Sequence, residues 1–110
     1  MDTSHEACLL RIYIGEKDRC QGHPLFEWLV HKAHEMNLAG ATVLRGPLGF
    51  GASQELHTEK ILRLSDNLPI VVEIIDSQER IEVFWSTVRT MFPSGLVTLE
   101  KVTILRSSSG

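Results

Sequence analysis

Residues 69–92 read PIVVEIIDSQERIEVFWSTVRTMF, and this segment decides the fold. Its first part, residues 70–75, is a nearly continuous β-branched run, which predicts a central strand with both faces mostly buried. Asp76 and Ser77 are both good N-caps, and Asp76 with Glu79 three residues later has the spacing of a capping box. The apolar residues that follow recur at helical spacing, which predicts an amphipathic helix ended by residues 93–95: Ile81, Phe84, Trp85, Val88 and Phe92.

Strands are predicted on both sides of this segment. Residues 9–14 alternate in side-chain polarity in the manner of a strand. Residues 41–45 and the short run 61–64 also read as strands. Residues 96–106 contain the last strand or strands, with a weak point at residues 100–101.

A second amphipathic helix is predicted from Pro24 to near Asn37, after a polar loop at residues 15–22. At the helical spacing of about 100° per residue, six apolar residues share one arc: Leu25, Phe26, Leu29, Val30, Ala33 and Met36. Trp28 lies outside this arc, and two interpretations stay open. The ring contacts another chain, or it lies flat over the surface of its own chain.

The resulting order of elements is β-α-β-β-α-β. Two helices on one face of an antiparallel sheet make an α+β protein, the ferredoxin-like α/β sandwich. The right-handed crossover rule permits this arrangement. We expect one domain over residues 8–106, a flexible N-terminus over 1–7 and a disordered tail over 107–110.

Composition excludes several classes of protein. The 110 residues carry 11 Lys and Arg against 14 Asp and Glu, for a net charge of −3, and 43% are hydrophobic. This hydrophobic content excludes intrinsic disorder, and the mild acidity argues against a nucleic-acid binder. No apolar run approaches the ~20 residues of a membrane span, and no signal peptide is recognisable, so a cytoplasmic location is expected.

Several short motifs along the chain resemble one known family. They are the turn Gly-Ala-Thr-Val-Leu-Arg-Gly at residues 40–46, the triplet Gly-Phe-Gly at 49–51, the Asn-Leu-Pro approach at 67–69 and the strand Leu-Arg-Ile-Tyr-Ile at 10–14. Together they resemble the PII-like proteins catalogued as "domain of unknown function 190", and more remotely the PII nitrogen-regulatory signalling proteins. The resemblance covers almost the whole chain, about residues 9–106.

This resemblance implies a PII-like regulatory module with a ferredoxin-like protomer in a homotrimer. A nucleotide or other small anionic effector would bind at the clefts between subunits. The segment at residues 46–60 would correspond to the loop through which PII proteins contact a regulatory target protein.

The chain also departs from PII proteins at functional positions. Where PII proteins carry a Gly-Asp-Gly-Lys-type phosphate-contacting loop, residues 93–98 read Pro-Ser-Gly-Leu-Val-Thr. Ile70 stands where PII proteins have a basic residue after the Leu-Pro pair. These differences favour a different effector, or none, over ATP bound as in PII. No tyrosine lies in the loop, which excludes uridylylation of the PII kind.

The glycine-rich turn after the second strand carries the main functional signal. Its backbone N–H groups could form a concavity for an anion, and Arg45 would add a bidentate contact. The structural alternative is a bulge and turn at the sheet edge that needs glycine. The candidate effector-binding residues are Arg45, Gly46, Gly49, Phe50, Gly51, Ser53, His57 and Lys60.

Other chemistry is less strongly indicated. Glu27, His31 and His34 have a spacing on the first helix that can gather a metal, but a solvated helix face is the favoured interpretation, so no metal site is predicted. Cys8 lies in an apolar strand and Cys20 in a polar loop, and no disulfide is expected. No catalytic residues and no definite cofactor are predicted.

Three hypotheses of function follow. The first is the PII-like effector-binding module described above. The second is a ligand-free interaction subunit that docks on a partner protein such as a membrane transporter. The third is a small enzyme with His57 as an acid or base in an intersubunit cleft.

Overall fold

The chain is described by a computed structural model over residues 4–50, 57–58, 67–91 and 95–105. Four long strands and two helices appear in the predicted order, with four two-residue strands added. The elements are β1 (Ser4–Gly15), β2 (Arg19–Cys20), β3 (His23–Pro24), α1 (Leu25–Glu35), β4 (Gly40–Arg45), β5 (Leu48–Gly49), β6 (His57–Thr58), β7 (Pro69–Asp76), α2 (Gln78–Val88), a 3-10 turn (Arg89–Met91) and β8 (Leu96–Leu105).

The long strands form one antiparallel sheet in the order β4-β7-β1-β8. Strand β7 lies between β4 and β1, because the chain crosses from β1 through α1 to β4 and then returns antiparallel. Ile12 stands at the centre of the register, opposite Val72 on one side and Val97 on the other. This topology confirms the ferredoxin-like α/β sandwich.

Both helices pack on the same face of the sheet, where the core lies. In α1 the buried residues are Leu25, Leu29 and Ala33, at the spacing predicted from the sequence. In α2 they are Ile81, Phe84 and Val88. The strands supply alternate residues to this core, because successive side chains of a strand point to opposite faces: Cys8, Leu10, Ile12, Ile14, Ile70, Val72 and Ile74.

The opposite face of β7 is less covered than predicted. The strand alternates between buried and half-buried residues along its whole length. The expectation of two mostly buried faces is therefore wrong for the single chain, because both helices lie on one side of the sheet.

The start of α2 corrects the predicted capping box. Ser77 is the N-cap, and its hydroxyl accepts a hydrogen bond from the Arg80 amide at 3.4 Å. Asp76 is instead buried at the end of β7, where its carboxylate accepts from the amides of Ala39 at 2.8 Å and Ser77 at 2.6 Å. Asp76 therefore joins the chain before β4 to the start of α2.

Several predicted boundaries also change. Strand β1 begins at Ser4 rather than residue 9, so residues 4–7 are part of a strand and not of a flexible N-terminus. Strand β8 continues through residues 100–101 without a break, because it pairs with β1 along its full length. The predicted strand at 61–64, Phe92 and the tail at 107–110 lie outside the described residues.

Cys20 has a different position from the one expected of a polar loop. Strands β2 and β3 pair as a small hairpin, which places Cys20 in the core with 5% of its surface exposed. Burial raises the pKa of the Cys20 thiol above its ordinary value. Both cysteines are free thiols. Neither helix within the described ranges has the length and hydrophobicity needed to cross a bilayer.

Candidate functional site

Strands β1 and β4 end beside the start of β7, at one end of the sheet, and these three strand termini form the base of the candidate loop. Strand β1 ends at Gly15, opposite Pro69 at the start of β7, and β4 ends at Arg45, opposite Ile70. The chain between β4 and β7 therefore leaves and returns at the same place. The glycine-rich turn found in the sequence starts there.

Arg45 makes an ion pair at this base. Its Nη2 atom lies 2.5 Å from Oε2 of Glu16, which follows the last residue of β1. The Arg45 side chain is 58% exposed and the Glu16 side chain 26% exposed. The predicted cationic group is thus at the surface, beside a carboxylate.

The glycines of the turn lie against a proline ring. A Cβ atom on Gly46 would lie 3.1 Å from Cγ of Pro69, and one on Gly49 would lie 3.4 Å from the same atom. The Gly46 amide donates a hydrogen bond to the Pro69 carbonyl at 2.8 Å. Close approach to Pro69 therefore explains the glycine at 46, and its N–H group is already bonded within the chain.

A short hairpin brings His57 back to this turn. Strand β5 pairs with β6, with Leu48 opposite Thr58 and Gly49 opposite His57. The side chains of Leu48 and Phe50 are 61% and 64% exposed. Of the other predicted residues, Gly51, Ser53 and Lys60 lie outside the described residues, and the structure describes His57 by its backbone pairing alone.

A network of polar contacts at the loop base was not predicted. The Asn67 side chain accepts from the Lys17 amide at 2.5 Å and donates to the Asp18 carboxylate at 3.3 Å. Asp18 in turn accepts from the Gly15 amide at 2.9 Å, and the Glu16 amide donates to the Leu68 carbonyl at 2.8 Å. These contacts hold the turn after β1 against the chain that enters β7.

The sequence signal for this network is slight. Residues 15–22 have the composition of an ordinary polar loop, and Asn67 belongs only to a motif of the family resemblance. The contacts join positions about 50 residues apart in the sequence, so spacing could not reveal them.

The polar face of α1 has no metal-ligand geometry. No group of three potential metal ligands is close enough to hold an ion among the described residues. Trp28 is half-buried against the core, and the Lys32 ammonium lies 5.7 Å from the centre of its ring. Of the two interpretations of Trp28, the structure favours packing on the surface of its own chain.

The helix-free face of the sheet is largely apolar, with one charged cluster at its centre. Arg11 donates from Nε to Glu73 at 2.9 Å and from Nη1 to Glu100. The hydrogen bonds to Glu73 and then Glu100 raise the pKa of Arg11. By the sheet register, Thr42 and Thr98 stand opposite Glu73 and Arg11 in the outer strands, and complete a polar row across the face. The apolar side chains of this face lie on either side of that row: Leu9, Tyr13, Leu44, Val71, Ile75 and Leu96.

Known structures confirm the fold. The chain is similar in fold to CPII, a nitrogen-regulatory PII-like protein from Thiomonas intermedia K12, in its structure with bound ADP, AMP and bicarbonate. The TM-score is 0.71 at 14% identity, over 96% of this chain and 94% of that one. It is also similar to the Bacillus subtilis GlnK–ATP complex, with a TM-score of 0.56 at 12% identity, over 93% of this chain and 84% of that one.

Sequence comparison also relates the chain to a protein family. A "UPF0166 protein" of Aquifex aeolicus (strain VF5) is 39% identical over 97 residues, which are 88% of this chain and 91% of that protein. Residues 7–104 match the sequence model of the family DUF190, described as "Uncharacterized ACR, COG1993". The fold and these matches agree with the resemblance found in the sequence, and the chain belongs to the DUF190 family.

Proposed function

We propose that this chain is a PII-like regulatory module that assembles as a trimer and binds a nucleotide or another small anion where subunits meet. Effector binding then changes how the loop that begins at Gly46 contacts a target protein. The observation that carries the proposal is the exposed Arg45 guanidinium at the base of this loop. Guanidinium groups bind phosphate and carboxylate groups through paired hydrogen bonds.

The fold supports the choice of effector. CPII, which shares this fold, binds ADP, AMP and bicarbonate, all of them anions. GlnK binds ATP, but residues 93–98 of this chain lack the basic glycine loop of PII proteins. We therefore expect ADP, AMP or bicarbonate to bind in preference to ATP.

Exposed apolar side chains on the helix-free face of the sheet favour the proposed trimer. On this face Leu44 is 49% and Leu96 is 48% exposed, although an antiparallel sheet with one solvated face normally alternates to polar residues there. Contiguous exposed apolar surface marks an interaction site. A second and third copy of the chain would cover it.

Isothermal titration calorimetry tests whether the protein binds an anionic effector. We expect ADP, AMP or bicarbonate to bind the wild-type protein and Arg45→Ala to weaken that binding at least about tenfold, since a hydrogen bond to a charged group contributes about 1.5–3 kcal/mol. Lys32→Ala is the control, because it removes the same charge from the surface of α1. Absence of heat with every ligand would contradict the effector part of the proposal.

A ligand-free interaction subunit is the second candidate function. It is favoured by Leu48 and Phe50, two large apolar side chains that are more than 60% exposed beside the loop. This candidate predicts a partner protein that stays bound after dialysis, is indifferent to nucleotides and is lost in the double variant Leu48→Ser/Phe50→Ser.

A further inference from the structure

The Glu16 carboxylate contacts the same guanidinium group that an anionic ligand of Arg45 would use. Its Oε2 atom is 2.5 Å from Nη2 of Arg45, so the carboxylate already uses part of the guanidinium fork. Carboxylate and phosphate oxygens compete for the same N–H donors, since both match the planar guanidinium. An effector that binds Arg45 bidentately therefore meets an internal competitor.

The position of Glu16 is held by its backbone and not only by the ion pair. The Glu16 amide donates to the Leu68 carbonyl at 2.8 Å, and the next amide, that of Lys17, donates to Asn67 at 2.5 Å. Gly15, on the other side, is fixed by the hydrogen bond that its backbone amide donates to the Asp18 carboxylate. The backbone of Glu16 is thus fixed beside Arg45, and only the side-chain torsions of Glu16 have to be restricted to form the ion pair.

The ion pair is also weak enough to exchange. Arg45 is 58% exposed and Glu16 26% exposed, and ion pairs at the protein surface shift an equilibrium by about fivefold at most. A ligand that makes two charge-assisted hydrogen bonds to Arg45 gains more than this. Displacement of Glu16 is therefore feasible, and its cost lowers the affinity for every anion that uses Arg45.

We infer that Glu16 is a specificity-determining residue that occupies Arg45 in the free protein and leaves it when the anionic group of the effector binds. This inference rests on the proposed function, because it concerns the same loop base. The exchange selects against weak, singly bonded anions, since they cannot replace the carboxylate. It also links binding to the position of the turn after β1, which contains Glu16.

Calorimetry with ADP and with bicarbonate tests the exchange. We expect Glu16→Gln to tighten the binding of at least one of these ligands by about two- to fivefold relative to the wild-type protein. We expect the gain to disappear in the double variant Glu16→Gln/Arg45→Gln, because the carboxylate acts through Arg45. Thermal unfolding of each variant confirms that it is folded.

Glu35→Gln is the matched control. It removes one negative charge from another ion pair, that with Lys32 on α1, and so reproduces the change in net charge. An equal gain in Glu35→Gln would overturn the inference, and so would a gain that persists without Arg45. If the wild-type protein binds a ligand and Glu16→Gln binds it equally well or more weakly, the inference is overturned and the proposed function stands. Absence of binding to both proteins overturns the proposed function and the inference with it.

Discussion

Gly15 is the residue that the loop base constrains most closely. A Cβ atom at this position would lie 2.1 Å from Nδ2 of Asn67. The Asn67 amide cannot move away without loss of its bonds to the Lys17 amide and the Asp18 carboxylate. The residue at 15 is therefore limited by a neighbour from a distant part of the chain.

Gly15→Ala is expected to lower the free energy of unfolding by about 1–3 kcal/mol, since it breaks the hydrogen bonds of Asn67. Urea unfolding at one protein concentration measures this change. In an Asn67→Ala background the same substitution should cost clearly less, because the clashing amide is gone. Additive costs of the two substitutions would contradict this account.

Among the elements, α2 depends on the end of β7 for its position. The Asp76 carboxylate is buried and accepts hydrogen bonds from the amides of Ala39 and Ser77. Arg80 lies 3.7 Å from the same carboxylate and also donates to the carbonyl of Asn37 after α1. One side chain thus connects the chain after α1, the end of β7 and the first turn of α2.

We expect Asp76→Ala to cost about 2–3 kcal/mol of unfolding free energy, because it removes two hydrogen bonds that a buried carboxylate accepts from backbone amides. Ser77→Ala removes only the N-cap bond and should cost about 1 kcal/mol or less. Chemical denaturation of both variants compares the two costs. An Asp76→Ala variant as stable as Ser77→Ala would show that the carboxylate does not connect these elements.

For the whole molecule, the proposed trimer depends on where the sheet exposes apolar surface. The helices cover one face of the sheet, and the other face presents apolar side chains on either side of a polar row that contains Arg11 and Glu73. The charged groups of this row bond to one another, so they can be covered by a second chain at lower cost than isolated charges.

Leu44→Glu places a charge on this face and is expected to dissociate the assembly. Light scattering coupled to size-exclusion chromatography should give the wild-type protein about three times the protomer mass of 12.4 kDa, and the variant a lower mass. Val83→Glu is the control, because Val83 is an exposed apolar residue of α2 on the opposite side of the sheet. A wild-type protein of protomer mass would exclude the trimer.

The sequence by itself determined the two helices, the four long strands and their order, because the periodicity of apolar residues reflects local geometry. Leu25, Leu29 and Ala33 share a helix face for that reason, and residues 70–75 form a central strand. Short motifs such as residues 40–46 also sufficed to identify the family, since they reflect descent. The glycine-rich turn by itself indicates Arg45 as a candidate cation.

Only the tertiary structure decided which groups meet at the loop base. The pairing of Glu16 with Arg45 and of Asn67 with Asp18 joins residues far apart in the chain, and local spacing contains no information about such contacts. The burial of Cys20 likewise depends on a hairpin that packs against the core. The physical reason is that pairing within the sheet brings together the end of β1, the end of β4 and the start of β7. Local sequence specifies each strand but not which strands pair.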